Sequence, residues 1–310
     1  MIRFAFIGGT VRGLKLLNSL IGRNRIPEFA VVLKEDDHEI HKYSTEISEL
    51  LNKYKIPFTL KRKLSESDYA KIQESELDFA IVSGWRTLID TSYSKYLKSG
   101  FVAAHQSLLP KYRGFAPTQW VIIKGEKVTG VTLFQIEEGE TDSGRIFDQK
   151  KVRIKPDDYA YDLELKFAEI TSEMFLDFFV KYESRKLKYY KQKESEATYT
   201  CKRIPEDGKI EWNKTSAEVY NLIRALAYPY PGAYCYLNED CYIIRKARTG
   251  FSNKKKFAGN IPGRVLRIYP EGAEILCGKG TVLLQEWENK STGIVNNPSE
   301  IIRSIKLTLR

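Results

Sequence analysis

Only three histidines occur in the 310-residue sequence, and one of them, His105, stands in the run AAHQSLLPKYRG at residues 103–114. Imidazole changes charge near neutral pH, so it is a natural group to give or take a proton. His105 ends the apolar run Phe101, Val102, Ala103, Ala104, which reads as a buried strand, and a turn with Pro110 and Gly114 follows. In α/β proteins, ligands gather beyond the carboxyl ends of such strands. Further on, Asp142 sits between Thr141 and a Ser143-Gly144 turn. If its loop follows a neighbouring strand, the carboxylate can meet the imidazole, favour its charged form and fix its tautomer. On spacing alone, a structural histidine with an unrelated aspartate is an equally good reading.

Two other segments carry functional residue types. Gly8-Gly9-Thr10, after the first apolar run, suits either a nucleotide loop or a tight strand-to-helix turn. It lacks the G-x-G-x-x-G spacing, and no acidic residue ends the second strand, so the turn is the better reading. His38-Glu39-Ile40-His41 lacks the H-E-x-x-H spacing that sets two imidazoles on one helix face, and it reads as solvated surface. The four cysteines, Cys201, Cys235, Cys241 and Cys277, keep no metal-ligand spacing. They read as reduced thiols of a cytoplasmic protein, and no metal is expected.

The elements that must position these residues follow from periodicity. Runs at 2–7, 29–33, 57–60, 79–83 and 101–105 read as strands, and segments at 11–21, 39–55, 66–74 and 91–97 as helices. That alternation implies an α/β fold with a Rossmann-like, doubly wound, mostly parallel sheet. A helix at 118–124, strands at 130–136 and 145–154 and a long helix at 157–180 complete it. Residues 181–200, KYESRKLKYYKQKESEATYT, are polar and lysine-rich and read mostly as linker. From about Cys201, a helix at 216–226 and short strands between turn signals suggest a small OB-like β-barrel. The expected division is an α/β domain over 1–185, a linker over 186–204 and a C-terminal OB-like barrel domain over 205–310.

Length and composition set the outer bounds. The chain is long enough for two cores, and 42% hydrophobic with 29% charged residues describes a soluble globular protein. No apolar run approaches the roughly 20 residues of a membrane span. The start, MIRFAFIGG, is too short and strand-like for a signal peptide. The net charge of +10 suits an anionic partner such as a nucleotide, a phosphate-bearing cofactor or RNA, without choosing among them; plain composition explains it equally well.

Taken in order, H-x-S-L-L-P-x-x-R-G-x-x-P at 105–117, TGVTLFQ at 129–135 and D-[ST]-G-x-I at 142–146 resemble the 10-formyltetrahydrofolate-dependent formyltransferases. The resemblance covers nearly the whole chain. DGKIEW at 207–212 and IRALAYPYPGAY at 223–234 are similar to the start of the barrel domain of methionyl-tRNA formyltransferases and of the aminoarabinose formyltransferase module. The resemblance implies transfer of a formyl group from N10 of the folate to a primary amine, a reaction that needs donors for an oxyanion and a proton for the leaving nitrogen. It implies His105 as the catalytic histidine and Asp142 as the carboxylate beside it. It places the pteridine at Thr87, Leu88 and Ile89 and at Glu138, Gly139, Glu140 and Thr141. Ser107, Leu108, Leu109 and Pro110 form the wall of the folate cleft. Two positions depart from the family pattern. An asparagine that serves as oxyanion donor is replaced by Ala103, and losing one such donor typically costs on the order of 10²–10³ in rate. The loop before Asp142 is one residue longer.

The amine is expected on a nucleotide-linked amino sugar used in polysaccharide, lipopolysaccharide or O-antigen assembly. Residues 34–41, KEDDHEIH, are short and acidic where a tRNA-specific member carries a long basic loop. Residues 112–126 look more like sugar-nucleotide formyltransferases and put Arg113 and Trp120 forward as substrate contacts, although a core aromatic is an equal reading of Trp120. Methionyl-tRNA formylation is the alternative. A catalytically impaired or non-enzymatic folate- or nucleotide-binding protein is a third reading, motivated by Ala103, and hydrolysis of formyl-folate a fourth. A homodimer stays open, and no membrane association is expected.

Overall fold

A computed structural model describes residues 2–36, 39 and 41–310, which form two compact units. The first comprises residues 1–117, 128–153 and 163–200; the second comprises 118–127, 154–162 and 201–310.

In the first unit the chain runs β1 (Phe4–Gly8), α1 (Thr10–Gly22), β2 (Phe29–Leu33), α2 (Tyr43–Lys53), β3 (Phe58–Lys61), α3 (Glu66–Glu74), β4 (Phe79–Ser83) and β5 (Phe101–His105). Then come β6 (Arg113–Gly114), α4 (Pro117–Ile123, which belongs to the second unit from residue 118), β7 (Val128–Ile136), β8 (Ile146–Arg153), α5 (Ala160–Glu183, in the first unit from residue 163) and β9 (Tyr199–Thr200). Seven strands form one sheet in the order β3-β2-β1-β4-β5-β7-β8. The first five are parallel and β7 and β8 antiparallel, the expected Rossmann-like arrangement. β1, β2 and β4 (FAFIG, FAVVL, FAIVS) are buried at every position, as strands covered on both faces must be. α5 seals one face with aromatic edges: Phe179 on Phe4 at 5.0 Å, and Phe178 and Tyr182 on Phe79 at 5.1 and 5.3 Å.

Two expectations change. Thr91–Tyr96 is a single 3₁₀ segment capped by Asp90, which accepts from Ser92 N–H, rather than an α-helix; a six-residue run is short enough for the tighter winding. The stretch read as linker is folded onto the first unit as far as Thr200. Tyr190 exchanges both backbone hydrogen bonds with Ile146 (2.9 and 3.0 Å), and β9 pairs in parallel with β6. Its polar composition hides this, because the segment is held by hydrogen bonds rather than an apolar stripe.

The second unit contains α6 (Ser216–Leu226), β10 (Ala233–Leu237), β11 (Asp240–Thr249), β12 (Val265–Tyr269), β13 (Gly272–Leu276), β14 (Thr281–Asn289), β15 (Val295–Asn296) and α7 (Pro298–Ile301). Its antiparallel sheet runs β10-β11-β14-β13-β12, with β15 beside β14. Residues 307–310 bridge the two edges: Val265 N–H donates to Leu307 O (3.0 Å), and Tyr236 and Arg310 exchange backbone bonds of 2.7 and 2.9 Å. The sheet thereby closes into the expected barrel, with Trp287 fully buried against Tyr242 in its interior. Among the described residues no helix is long and apolar enough to cross a membrane.

Candidate active site

Strand order reverses between β1 and β4, where a doubly wound sheet usually opens its ligand crevice. Here two turns close it. Gly9 N–H donates to Ser83 O at 3.1 Å. A Cβ on Gly8 would lie 2.2 Å from Ser83 O, and one on Gly84, at φ +70°, would lie 2.2 Å from Gly9 O. The Gly8-Gly9-Thr10 segment is thus a packing turn. The chemistry-bearing residues gather one strand further along, at the end of β5.

His105 is 7% exposed. Its Nε2 lies 2.7 Å from Tyr112 O; a carbonyl only accepts, so Nε2 carries the hydrogen. Its Nδ1 lies 3.4 Å from Asp142 Oδ2, and the same oxygen accepts from Gly114 N–H at 2.8 Å. The two residues come from different parts of the sheet, since Asp142 lies in the connection between β7 and β8. Asp142 stands at φ +55°, a left-handed conformation that aspartate tolerates better than most residues.

The loop between His105 and β6 is fixed by buried polar groups. Thr132 on β7, 0% exposed, donates its hydroxyl to Ser107 O (2.7 Å) and accepts from Leu109 N–H (3.1 Å) and Gln149 Nε2 (2.8 Å). Gln149 also donates to Leu109 O, and Ser107 Oγ to Lys111 O. Ser107 and Leu109 are therefore buried, while Leu108 and Pro110 keep part of their surface in solvent.

The other expected residues divide. Beyond β4, Thr87 and Leu88 are exposed, Leu88 at 77%, while Ile89 packs with Trp85 on the apolar core. Glu138, Gly139, Glu140 and Thr141 form an exposed turn in which Glu140 O accepts from Ser143 N–H and Oγ. Ala103 lies among Val82, Leu109, Phe134 and Ile146, an apolar setting for the residue that replaces the family's asparagine. Arg113, expected against substrate, is instead fully buried and bonded to Gln192, Glu194 and Tyr199. Trp120 spends its indole N–H on Cys201 O (3.0 Å), and Arg203 covers its ring, so these contacts give it a structural task in the second unit. His41 bonds Glu46 at 2.6 Å on the surface; His38 lies outside the described residues. No group of three or more His, Cys, Asp or Glu among the described residues is placed to hold a metal ion.

Sequence reading missed four contributors: Thr132, Gln149, Gln192 and Thr198, which accepts from Tyr112 N–H through its hydroxyl. It also passed over Ser83 Oγ and Trp85 Nε1 at the end of β4, both buried without a hydrogen-bond partner among the described residues. A polar residue flanking a strand of known register is the only signal that could have raised them.

Comparison with known proteins gives the chain its family. The pattern of the formyl transferase family matches residues 18–178, and that of the formyl transferase C-terminal domain matches residues 202–300. Methionyl-tRNA formyltransferase of Thermodesulfovibrio yellowstonii is 34% identical over 237 residues, covering 72% of this chain and 76% of that protein. Bifunctional polymyxin resistance protein ArnA of Wigglesworthia glossinidia brevipalpis is 31% identical over 245 residues, 78% of this chain but only 36% of the longer relative. The N-formyltransferase from Helicobacter canadensis, solved in complex with folinic acid and dTDP-3-aminofucose, shares the fold with a TM-score of 0.71 at 21% identity, over 92% of this chain and 99% of that one. HypX from Aquifex aeolicus also shares it (TM-score 0.65, 18% identity); this chain spans 47% of that one. The chain belongs to the formyl transferase family and is an enzyme of formyl transfer.

Proposed function

We propose that the protein transfers a formyl group from 10-formyltetrahydrofolate to the amine of a nucleotide-linked amino sugar, with His105 and Asp142 as the catalytic pair. The observation that carries this reading is the buried imidazole held between Tyr112 O at 2.7 Å and Asp142 Oδ2 at 3.4 Å. The folate supplies the formyl carbon. The amine nitrogen would bond to the formyl carbon as the bond to N10 breaks, and His105 would give its Nε2 hydrogen to the departing nitrogen and take up the proton that the amine sheds. Asp142 fixes the ring's orientation and stabilises its positive charge, as a carboxylate does for the histidine of a hydrolase triad.

The residues at the ends of β4 and β5 suit the folate. The backbone of Thr87, Leu88 and Ile89 makes no hydrogen bond with other described residues, and Leu88 offers an exposed apolar side chain beside it. A flat heterocycle with donors and acceptors on its edge needs both. Ser107, Leu108, Leu109 and Pro110 would form one wall, and the exposed turn Glu138, Gly139, Glu140 and Thr141 would close over it.

The choice of a sugar rests on the rim beyond β2. Asp36 faces Arg62 at 3.5 Å, and Glu39 takes both Nη atoms of Arg86 at 2.5 and 2.7 Å. Cations paired in this way are not free for phosphates of an acceptor stem, the main source of tRNA affinity. The Helicobacter canadensis neighbour's dTDP-3-aminofucose supports the same class. The product would be a formylated sugar nucleotide for polysaccharide assembly, lipopolysaccharide or O-antigen included, made in the cytoplasm. The 34% identity to a methionyl-tRNA formyltransferase favours the second reading, formylation of charged initiator tRNA.

One assay separates them. The enzyme is incubated with 10-formyltetrahydrofolate and, in parallel, dTDP-, UDP- and GDP-amino sugars and methionyl-tRNA, and products are followed by mass. A sugar nucleotide heavier by one formyl group is expected. Formylmethionyl-tRNA with every sugar unchanged would overturn the sugar reading; formate released without any acceptor would point to hydrolysis.

A further inference from the structure

We propose that Gln192 is a positioning residue for formyl transfer, acting through the backbone of Asp142; this rests on the His105–Asp142 reading above. Gln192 lies fifty positions from Asp142 in sequence, in the stretch whose composition resembles a linker. Its Nε2 donates to Asp142 O at 2.7 Å and to Gly144 O at 2.7 Å, which uses both amide hydrogens. Its Oε1 accepts from Arg113 Nε at 3.1 Å and Nη2 at 2.8 Å, which fixes the amide's orientation.

Arg113 has no capacity left for a ligand. It is 0% exposed, and its remaining hydrogens go to Glu194 (2.8 and 2.7 Å) and the Tyr199 hydroxyl (3.1 Å). All five guanidinium hydrogens are thereby accounted for. Gly114, the next residue, gives its N–H to Asp142 Oδ2 at 2.8 Å. Arg113 and Gly114 thus hold Asp142 twice: Gly114 holds the carboxylate directly, and Arg113 holds the main chain through Gln192. Holding the main chain matters, because Asp142 stands at φ +55°, which costs an aspartate less than most residues but more than an extended or helical backbone. The carboxylate that faces His105 is aimed by that backbone. Burying a cation is costly and apolar packing would serve stability as well, so an orienting role accounts for the arrangement better than a staple does.

Gln192→Glu is the informative change. It keeps the shape and the two bonds from Arg113, but turns an oxygen toward two carbonyl oxygens. Gln192→Met, which keeps size and removes both sets of bonds, is the second variant. Each is made in the wild-type and the Asp142→Asn backgrounds, and kcat and KM are measured with the acceptor that the panel identifies. Misplacement of a reacting group by about 1 Å costs roughly 10²-fold. We expect kcat to fall about 10²-fold with both KM values within about twofold, and the loss to shrink below about threefold when Asp142→Asn is already present. An equal loss in both backgrounds, or kcat unchanged in folded protein, overturns the proposal.

The nitrogen resonances of the His105 ring, read at one pH in a chain with three histidines, give a readout independent of turnover. Gln192→Glu should move them as Asp142→Asn does; resonances that stay in place also overturn the proposal. If Asp142→Asn leaves kcat unchanged while Gln192→Glu still moves the ring signals, the catalytic-pair reading fails and the positioning contact stands.

Discussion

The carboxyl ends of β4 and β5 lie side by side in one sheet, and they are finished with different materials. β4 runs into a turn whose main chain rests directly on the turn after β1, Gly84 meeting Gly9 with no room for a Cβ. β5 runs into a loop held at a distance by side chains: Thr132, Gln149 and Gln192 each hold backbone groups of other segments in place. Where backbone rests on backbone, at Gly9 and Gly84, no space is left for a ligand, and the exposed stretch beyond β4 begins only after that turn. Side chains that reach across hold a loop in place without bringing main chain onto main chain. Gly8-Gly9-Thr10 has the first kind of finish, and Ser107–Pro110, the wall proposed for the folate, has the second.

The contrast can be broken, starting with the largest effect. His105→Ala removes the only imidazole that the described residues bring to the site and should lower kcat by about 10²–10⁴-fold or more while the circular dichroism spectrum keeps its form. Retained turnover would end the assignment. Gly84→Val should do the reverse. It forces a β-branched residue to φ +70° with its Cβ 2.2 Å from Gly9 O, and we expect about 2–4 kcal/mol of lost stability in denaturant titration. The fraction that still folds should turn over within a few-fold of wild type; a collapse of kcat at unchanged stability would show that the β4 turn touches substrate.

Smaller changes sharpen the comparison. Thr132→Val keeps the shape but leaves Ser107 O, Leu109 N–H and Gln149 Nε2 short of a partner, a loss of about 1–3 kcal/mol. KM for the folate should rise with it, since the wall of the cleft moves; an unchanged KM would separate the wall from the cofactor. Ala103→Asn puts an amide among Val82, Leu109 and Phe134 and should cost about 1–2 kcal/mol. If the site lacks an oxyanion donor, kcat rises by up to about 10²-fold. A flat or lower kcat would mean that another group already fills that role.

The fold was open to sequence reading where burial leaves a pattern. FAFIG, FAVVL and FAIVS are apolar without interruption, and central parallel strands are the elements for which that composition is diagnostic. His105 stood out because a polar residue closes such a run, and the motif around it carried the resemblance. What stayed hidden is long-range and polar. Arg113 reads as a substrate contact until Glu194, 81 positions away, is brought to it. Gln192 sits in KYYKQKESE, whose lysines and glutamates carry neither periodicity nor hydropathy contrast. Hydrogen bonds between a side chain and a distant carbonyl have no sequence period, so nothing short of the fold exposes them.

The return of residues 186–200 to the first unit bears on how this enzyme could be recombined. A fusion or swap cut just after α5, where the long helix ends and the lysine-rich stretch begins, would inherit the sheet, His105 and Asp142 but leave Gln192, Glu194 and β9 with the discarded half. A piece that keeps Gln192, Glu194 and β9 with the sheet must run to Thr200, the last residue of the first unit.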